Sequence, residues 1–311
     1  MQTVDKPLFE GIIYNDHGSW HDHLRMPNAF NRLIKHIYQI NHIQISQINI
    51  TQMPVGAVFR VGDTVIKIFV PPELGEKFCD DREYITELSI LEHARNAGIL
   101  VPDVICCGTV RDKRYTFDYI VMNYIEGIIA DDVLPGFTDA ERNDFALKFK
   151  NIADKLHVTN PDLPIPHFDE PGKINHPLWN NMPESFRADR LRYIENADFP
   201  ESVVCQGDIN GGNVIIDQAE KLYLIDFSES VHAPAYYDLP LIYDYKHDKV
   251  LMTAFYGDYQ NDAFYDKVTM AVLLNWFSGV NIGWLAEEAN VDVNGITSVS
   301  ALRDMLIQFL R

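Results

Sequence analysis

Basic side chains are in short supply. Against 45 Asp+Glu the 311 residues carry 26 Lys+Arg, a formal net charge of −19 with histidine neutral. So acidic a balance excludes nonspecific binding to nucleic acid or to an anionic membrane surface, both of which need clustered Lys and Arg. A charged partner of this chain is expected to be cationic. Cysteine is equally sparse: Cys79, Cys106, Cys107 and Cys205, with no CxxC pair. Four in so long a chain are not a disulfide framework, and the usage fits a reducing compartment. No basic-plus-apolar leader opens the sequence. Long apolar runs are missing as well. The longest uncharged stretch, residues 268–286, is interrupted by Asn275, Ser278, Gly279, Asn281 and Gly283, and reads as a buried helix and a turn, not a membrane span. There is no internal repeat. The expectation is a soluble, cytoplasmic monomer.

What is present is core-forming material, 47% hydrophobic and 12% aromatic, which excludes a disordered or low-complexity chain. Residues 30–40 place Phe30, Leu33, Ile34, Ile37 and Tyr38 at helical spacing. Short β-like runs follow at 47–51, 57–61 and 64–70, the last two joined through Gly62-Asp63. Residues 81–97 read as a helix ending at Gly98, and 104–110 and 117–124 as two more strands. The expectation is a mostly antiparallel sheet with one helix between its third and fourth strands. After Glu126-Gly127 helices dominate, at 139–159, 186–196 and from Leu239 onward, with a small hairpin, Val214–Asp217 and 222–226, among them. The fold class is therefore α+β and bilobal, residues 1–124 and 125–311. Charge divides at the same place: 12 basic and 15 acidic residues before it (net −3), 14 and 30 after it (net −16).

The stretch richest in chemistry is Gly207-Asp208-Ile209-Asn210-Gly211-Gly212-Asn213, followed by the hairpin and Ile225-Asp226-Phe227. With the hairpin centred between Ala219 and Glu220, Asn213 and Asp226 are equidistant from the turn and should face each other at its open end. An amide oxygen beside a carboxylate suits a hard cation such as Mg²⁺, which takes oxygen ligands and keeps waters or phosphates elsewhere. Asp208, five residues upstream across Gly-Gly, can face the same end and accept a proton from an attacking hydroxyl. Singly, each of the three reads equally well as a turn cap or a strand end.

Gly-Asp-x4-Asn followed by Ile-Asp-Phe, with its Asp thirteen residues after the Asn, resembles the catalytic core of the aminoglycoside phosphotransferase family, relatives of the protein kinases. The likeness runs from about residue 50 to 245, and its Val65-Ile66-Lys67-Ile68-Phe69 strand and Asp-Phe-x-Glu ending are most similar to hygromycin-type members. It implies a protein-kinase-like fold and a Mg²⁺-requiring O-phosphotransferase using ATP or GTP on a small cationic polyhydroxylated acceptor, most simply an aminoglycoside. On that resemblance Asp208 is the catalytic base, and Lys67 holds the α/β-phosphates and is oriented by Glu87, one helical turn from an alternative partner, Glu83. Asn123 and Ile125 belong to the adenine-holding strand and hinge, and Asn213 and Asp226 to the metal. Asp238 braces the catalytic loop.

Three departures from the pattern stand out. Gln206 replaces the His before Gly-Asp, Asp226-Phe227-Ser228-Glu229 lacks a third-place glycine, and the nucleotide loop, residues 52–57, holds one glycine. The charge split points to Glu229, Glu287 and Glu288 as acceptor-side carboxylates. A small-metabolite kinase for choline-, fructosamine- or homoserine-like substrates is the alternative, and a nucleotide-binding pseudokinase a second; an activation segment with Ala-Pro-Glu, as a protein kinase needs, is missing. His21-Asp22-His23 reads as a solvated cluster before it reads as a metal site, and Trp276, Phe277 and Trp284 read as core.

Overall fold

A computed structural model describes residues 6–11, 27–50, 57–74, 82–239 and 241–311. The residues read as a nucleotide loop (apart from Ala57), His21-Asp22-His23, Cys79 and the start of the 81–97 helix lie outside that set. The chain forms two compact units, residues 1–92 with 101–126, and residues 93–100 with 127–311.

The first unit is built on a five-stranded sheet in the order β1-β2-β3-β5-β4: β1 (Ile48–Ile50), β2 (Ala57–Val61), β3 (Thr64–Ile68), β4 (Val104–Arg111) and β5 (Thr116–Asn123). Every pairing is antiparallel. Gly62, at φ +64°, makes the tight turn between β2 and β3. Helix α1 (Pro27–Ile40) turns Phe30, Leu33, Ile34, Ile37 and Tyr38 into the core, all fully buried, where they meet Phe59, Ile66, Phe117 and Val121 from the sheet. The period of 3.6 read from the sequence is thus the period of burial. Helix α2 (Glu83–Asn96) follows β3 in the chain and ends at Gly98, φ +71°, with the Ile99 N–H returning to the Ala94 carbonyl, the left-handed helix end that glycine favours.

In the second unit, helix α3 (Asp139–Leu156) opens on a capping box between Thr138 and Glu141 and packs Phe149 against Phe255 of α5 (Lys249–Tyr256), ring centroids 5.8 Å apart. Helices α4 (Glu184–Glu195), α6 (Asp262–Leu274), α7 (Ser278–Glu288) and α8 (Val299–Leu310) complete the helical part. Arg190 of α4 is buried and donates to the carbonyls of Ile174 and Leu273, both at 2.8 Å. Two small sheets carry the catalytic-loop sequence: β6 (Gly127–Ile129) with β8 (Val214–Asp217) and β9 (Leu222–Leu224), and β7 (Val203–Cys205) with β10 (Val231–Ala233).

The hairpin register differs from the sequence expectation by half a step. Val214 pairs with Leu224, Ile215 with Tyr223 and Ile216 with Leu222, so the centre is Ala219 and Ile225, not Asp226, donates its N–H to the Asn213 carbonyl (3.0 Å). The cause is the turn. The Asp217 carboxylate accepts from the Ala219 and Lys221 N–H groups and Glu220 is left-handed at φ +58°, which closes an odd, three-residue loop. Trp276 and Phe277 are likewise not core. They occupy the turn between α6 and α7, where helical spacing says nothing about burial, and Phe277 and Trp284 are 41% and 45% exposed.

Candidate active site

In the first unit, the polar centre is on β3. Lys67, paired across the sheet with Val58 and Ile120, carries its ammonium to the Glu87 carboxylate of α2 at 2.5 Å. Both residues are buried, a position an ammonium or carboxylate tolerates only when paired. The ion pair is the one expected from the sequence, with Glu87 and not the alternative Glu83. Asn123, at the end of β5, uses its side-chain oxygen to accept the Asp103 N–H (2.5 Å). Ile125 is half-buried two residues further on.

In the second unit, residues 206–213 form a loop whose shape is dictated by hydrogen bonds. Gly207 sits at φ +87°, and a Cβ there would lie 2.1 Å from the Glu229 carbonyl oxygen, so no other residue fits without moving backbone. The Asp238 carboxylate, buried, accepts the Gln206 and Gly207 N–H groups, each at 2.9 Å, and meets His157 Nε2 at 2.9 Å. Gln206, standing where the family pattern has histidine, donates from its side chain to the Asp226 carbonyl and accepts the Asp208 N–H at 2.9 Å. It therefore stitches the two carboxylate-bearing segments together. His157, Cys205 and Asp238 converge closely enough to suggest a metal site. Both Asp238 oxygens are already spent on N–H donors, however, and burial pushes the Cys205 thiol far up, so the trio is a brace.

Asn213 is buried and donates to the Asp208 carbonyl (2.8 Å) and carboxylate (3.1 Å). With its amide nitrogen so committed, its Oδ1 is the atom left to ligate. Asn210 donates to the other Asp208 oxygen at 3.0 Å. Asp208 is open to solvent on one side. Enclosure by the surrounding protein, and then the like charges of Asp226 and Glu229, push its carboxyl up to about 6 against the pull of the two asparagine amides. Asp226 adopts φ +60° and accepts the Ser228 hydroxyl at 3.0 Å. Its left-handed backbone turns the chain out of β9 immediately past Ile225, and its charge is felt at Asp208 despite the half-step in register.

The remaining expected residues separate. Glu229 abuts Gly207 through its backbone and accepts the Trp276 indole N–H at 3.2 Å. Glu287 and Glu288 lie on the last turn of α7, where Glu288 pairs with Lys246 at 3.7 Å. Another acid that the fold brings against this loop is Asp131, which blocks any Cβ at Gly211 (2.0 Å) and accepts the Tyr245 hydroxyl at 2.7 Å. Burial pushes its carboxyl upward. No local signal marks Asp131 in the sequence, because its approach depends on β6 pairing with β8.

The donor types fit Mg²⁺: Asn213 Oδ1 and the Asp226 carboxylate would offer hard oxygen donors, and neither sulfur nor imidazole is among them.

The model of the phosphotransferase enzyme family matches residues 77–273. No curated relative matches. Among solved structures, a thermostable mutant of the aminoglycoside phosphotransferase APH(4)-Ia, in ternary complex with ADP and hygromycin B, superposes at TM-score 0.53 with 14% identity, covering 88% of this chain and 97% of that one. The gentamicin–APH(2")-IIa complex reaches 0.55 at 11% identity, with 90% and 95% covered. LicA in complex with AMP reaches 0.55 at 15%, with 89% and 97% covered. These likenesses establish the kinase-like fold. They do not single out the hygromycin type, whose score is no higher than the others.

Proposed function

Since the chain belongs to the phosphotransferase enzyme family and is an ATP-dependent O-phosphotransferase, we propose that it moves the nucleotide γ-phosphate to a hydroxyl of a polyhydroxylated amino-sugar, an aminoglycoside-like acceptor. The observation that carries this reading is the state of Asp208: two asparagine amides fix its carboxylate, enclosure and then the charges of Asp226 and Glu229 raise it to about 6, and it is exposed to solvent. A base whose pKa lies near neutrality is matched to taking a hydroxyl proton.

Lys67, held by Glu87, takes the α/β-phosphates as a positioned point charge, and Asn123 and Ile125 flank the adenine. Asn213 Oδ1 and Asp226 hold the Mg²⁺. When bound, that ion supplies neutralisation of the charge on the transferring phosphoryl group. Asp208 orients the acceptor hydroxyl and receives its proton as the oxygen attacks. Gln206 and Asp238 keep the Asp208 and Asp226 segments in fixed relation through backbone bonds. Because the transition state is loose, this placement accounts for most of the catalysis. The acidic balance of residues 125–311, net −16, favours an acceptor bearing positive charge.

The deciding experiment is a nucleotide-consumption screen over aminoglycosides and amino-sugars, with ATP and with GTP. Acceptor-dependent turnover with an amino-sugar is expected. Turnover only with neutral or anionic hydroxyl compounds would replace the aminoglycoside with a small metabolite.

A further inference from the structure

Glu229 follows the Asp226 segment and would be the natural anchor for an acceptor ammonium. It already has one. Lys173, on the single helical turn Pro171–Ile174, brings Nζ to 3.9 Å from Glu229 Oε2. The same oxygen takes the Trp276 indole N–H at 3.2 Å, and the ammonium lies 5.5 Å over the Trp276 ring. The two charged side chains are 13% and 24% exposed. Trp276 in turn packs at a tilt against His176 (4.3 Å) and Phe277 (3.6 Å), and Lys173 is close enough to help hold His176 below its ordinary pKa, after burial. The carboxylate, the ammonium and the indole thus form one locked group beside Gly207-Asp208.

We propose that Lys173 is a specificity-determining residue, a built-in counter-ion that denies Glu229 to the acceptor's ammonium groups. Glu229 then presents a compensated edge beside an aromatic face, suited to the hydroxyls and C–H face of a sugar ring, and any acceptor amino group is read elsewhere on the acidic surface. This rests on the phosphotransferase reading above and sharpens it. A bridge serving only to hold the Pro171–Ile174 turn would lower stability on removal and leave acceptor preference untouched.

Calorimetry of gentamicin binding, with a non-hydrolysable ATP analogue present, separates the two. Lys173→Met should tighten gentamicin by about tenfold or more, the scale of one charge-assisted hydrogen bond. Glu229→Gln in that background should erase the gain, and Lys173→Arg should behave as wild type. Unchanged or weaker binding in Lys173→Met overturns the inference. Should that variant not fold, Glu229→Gln alone decides: a shift under about twofold supports a carboxylate already occupied, and a tenfold loss overturns it. The nucleotide-consumption screen is scored separately, so loss of the phosphotransferase reading and loss of this one give different results.

Discussion

The side-chain amide of Asn213 donates to both the carbonyl and the carboxylate of Asp208, at 2.8 and 3.1 Å. One nitrogen therefore fixes the Asp208 carboxylate, and on the proposed mechanism the oxygen of the same amide would face the metal. On the proposed mechanism, the group that would take the proton and the group that would hold the ion are thus tied together by one side-chain amide across Gly211-Gly212.

Asp208→Ala should lower kcat by about 10²-fold or more, since general-base proton transfer contributes roughly 10²–10⁴, and leave nucleotide affinity close to wild type. Steady-state kinetics beside nucleotide titration provide the check. Turnover equal to wild type would remove Asp208 from the mechanism.

Asp226→Ala should abolish turnover and remove the tightening of nucleotide binding by Mg²⁺, because a ligand carboxylate is lost. Asn213→Ala should weaken Mg²⁺-dependent binding less, a neutral amide being the poorer ligand, yet still depress kcat by freeing Asp208. Nucleotide affinity that is the same with and without Mg²⁺ in the wild-type protein would contradict both expectations.

Asp238→Ala should destabilise the fold by about 3 kcal/mol in chemical denaturation, as the Gln206 and Gly207 N–H groups lose a buried acceptor and each orphan costs about 1–3 kcal/mol. Activity should fall with it, since the same loop carries Asp208. A stability change within about 0.5 kcal/mol would show that the loop does not depend on this brace.

Gly207→Ala should be among the costliest single-methyl changes in the chain, about 2 kcal/mol or more, because it meets a left-handed backbone and a carbonyl oxygen together. Thermal unfolding of this variant beside Gly136→Ala, where nothing lies within 4 Å of an added Cβ, isolates the effect. Equal melting temperatures for the two would refute it.

Acceptor KM should rise steeply with salt between roughly 50 and 300 mM, over which the Debye length falls from about 14 to 6 Å, while nucleotide KM changes less. The attraction comes from the acidic surface as a whole, net −16 over residues 125–311, and not from Glu229, whose counter-ion is Lys173. A salt-independent acceptor KM would point to a neutral substrate.

The sequence by itself determined the α+β architecture, the face that α1 buries and the placement of Asp208, Asn213 and Asp226 around one hairpin. Each of these is set by local periodicity or by separation along the chain. The half-step register that puts Ile225, and not Asp226, opposite Asn213 is local too, set by the turn chemistry at Asp217 and Glu220 that counting outward from the hairpin centre overlooks. The tertiary structure decided the rest. Asp131 reached Gly211, and Lys173 with Trp276 reached Glu229, across 80, 56 and 47 positions of sequence. Contacts of that range leave no periodic trace, because they are fixed by the packing of distant elements and not by the pattern within any one of them.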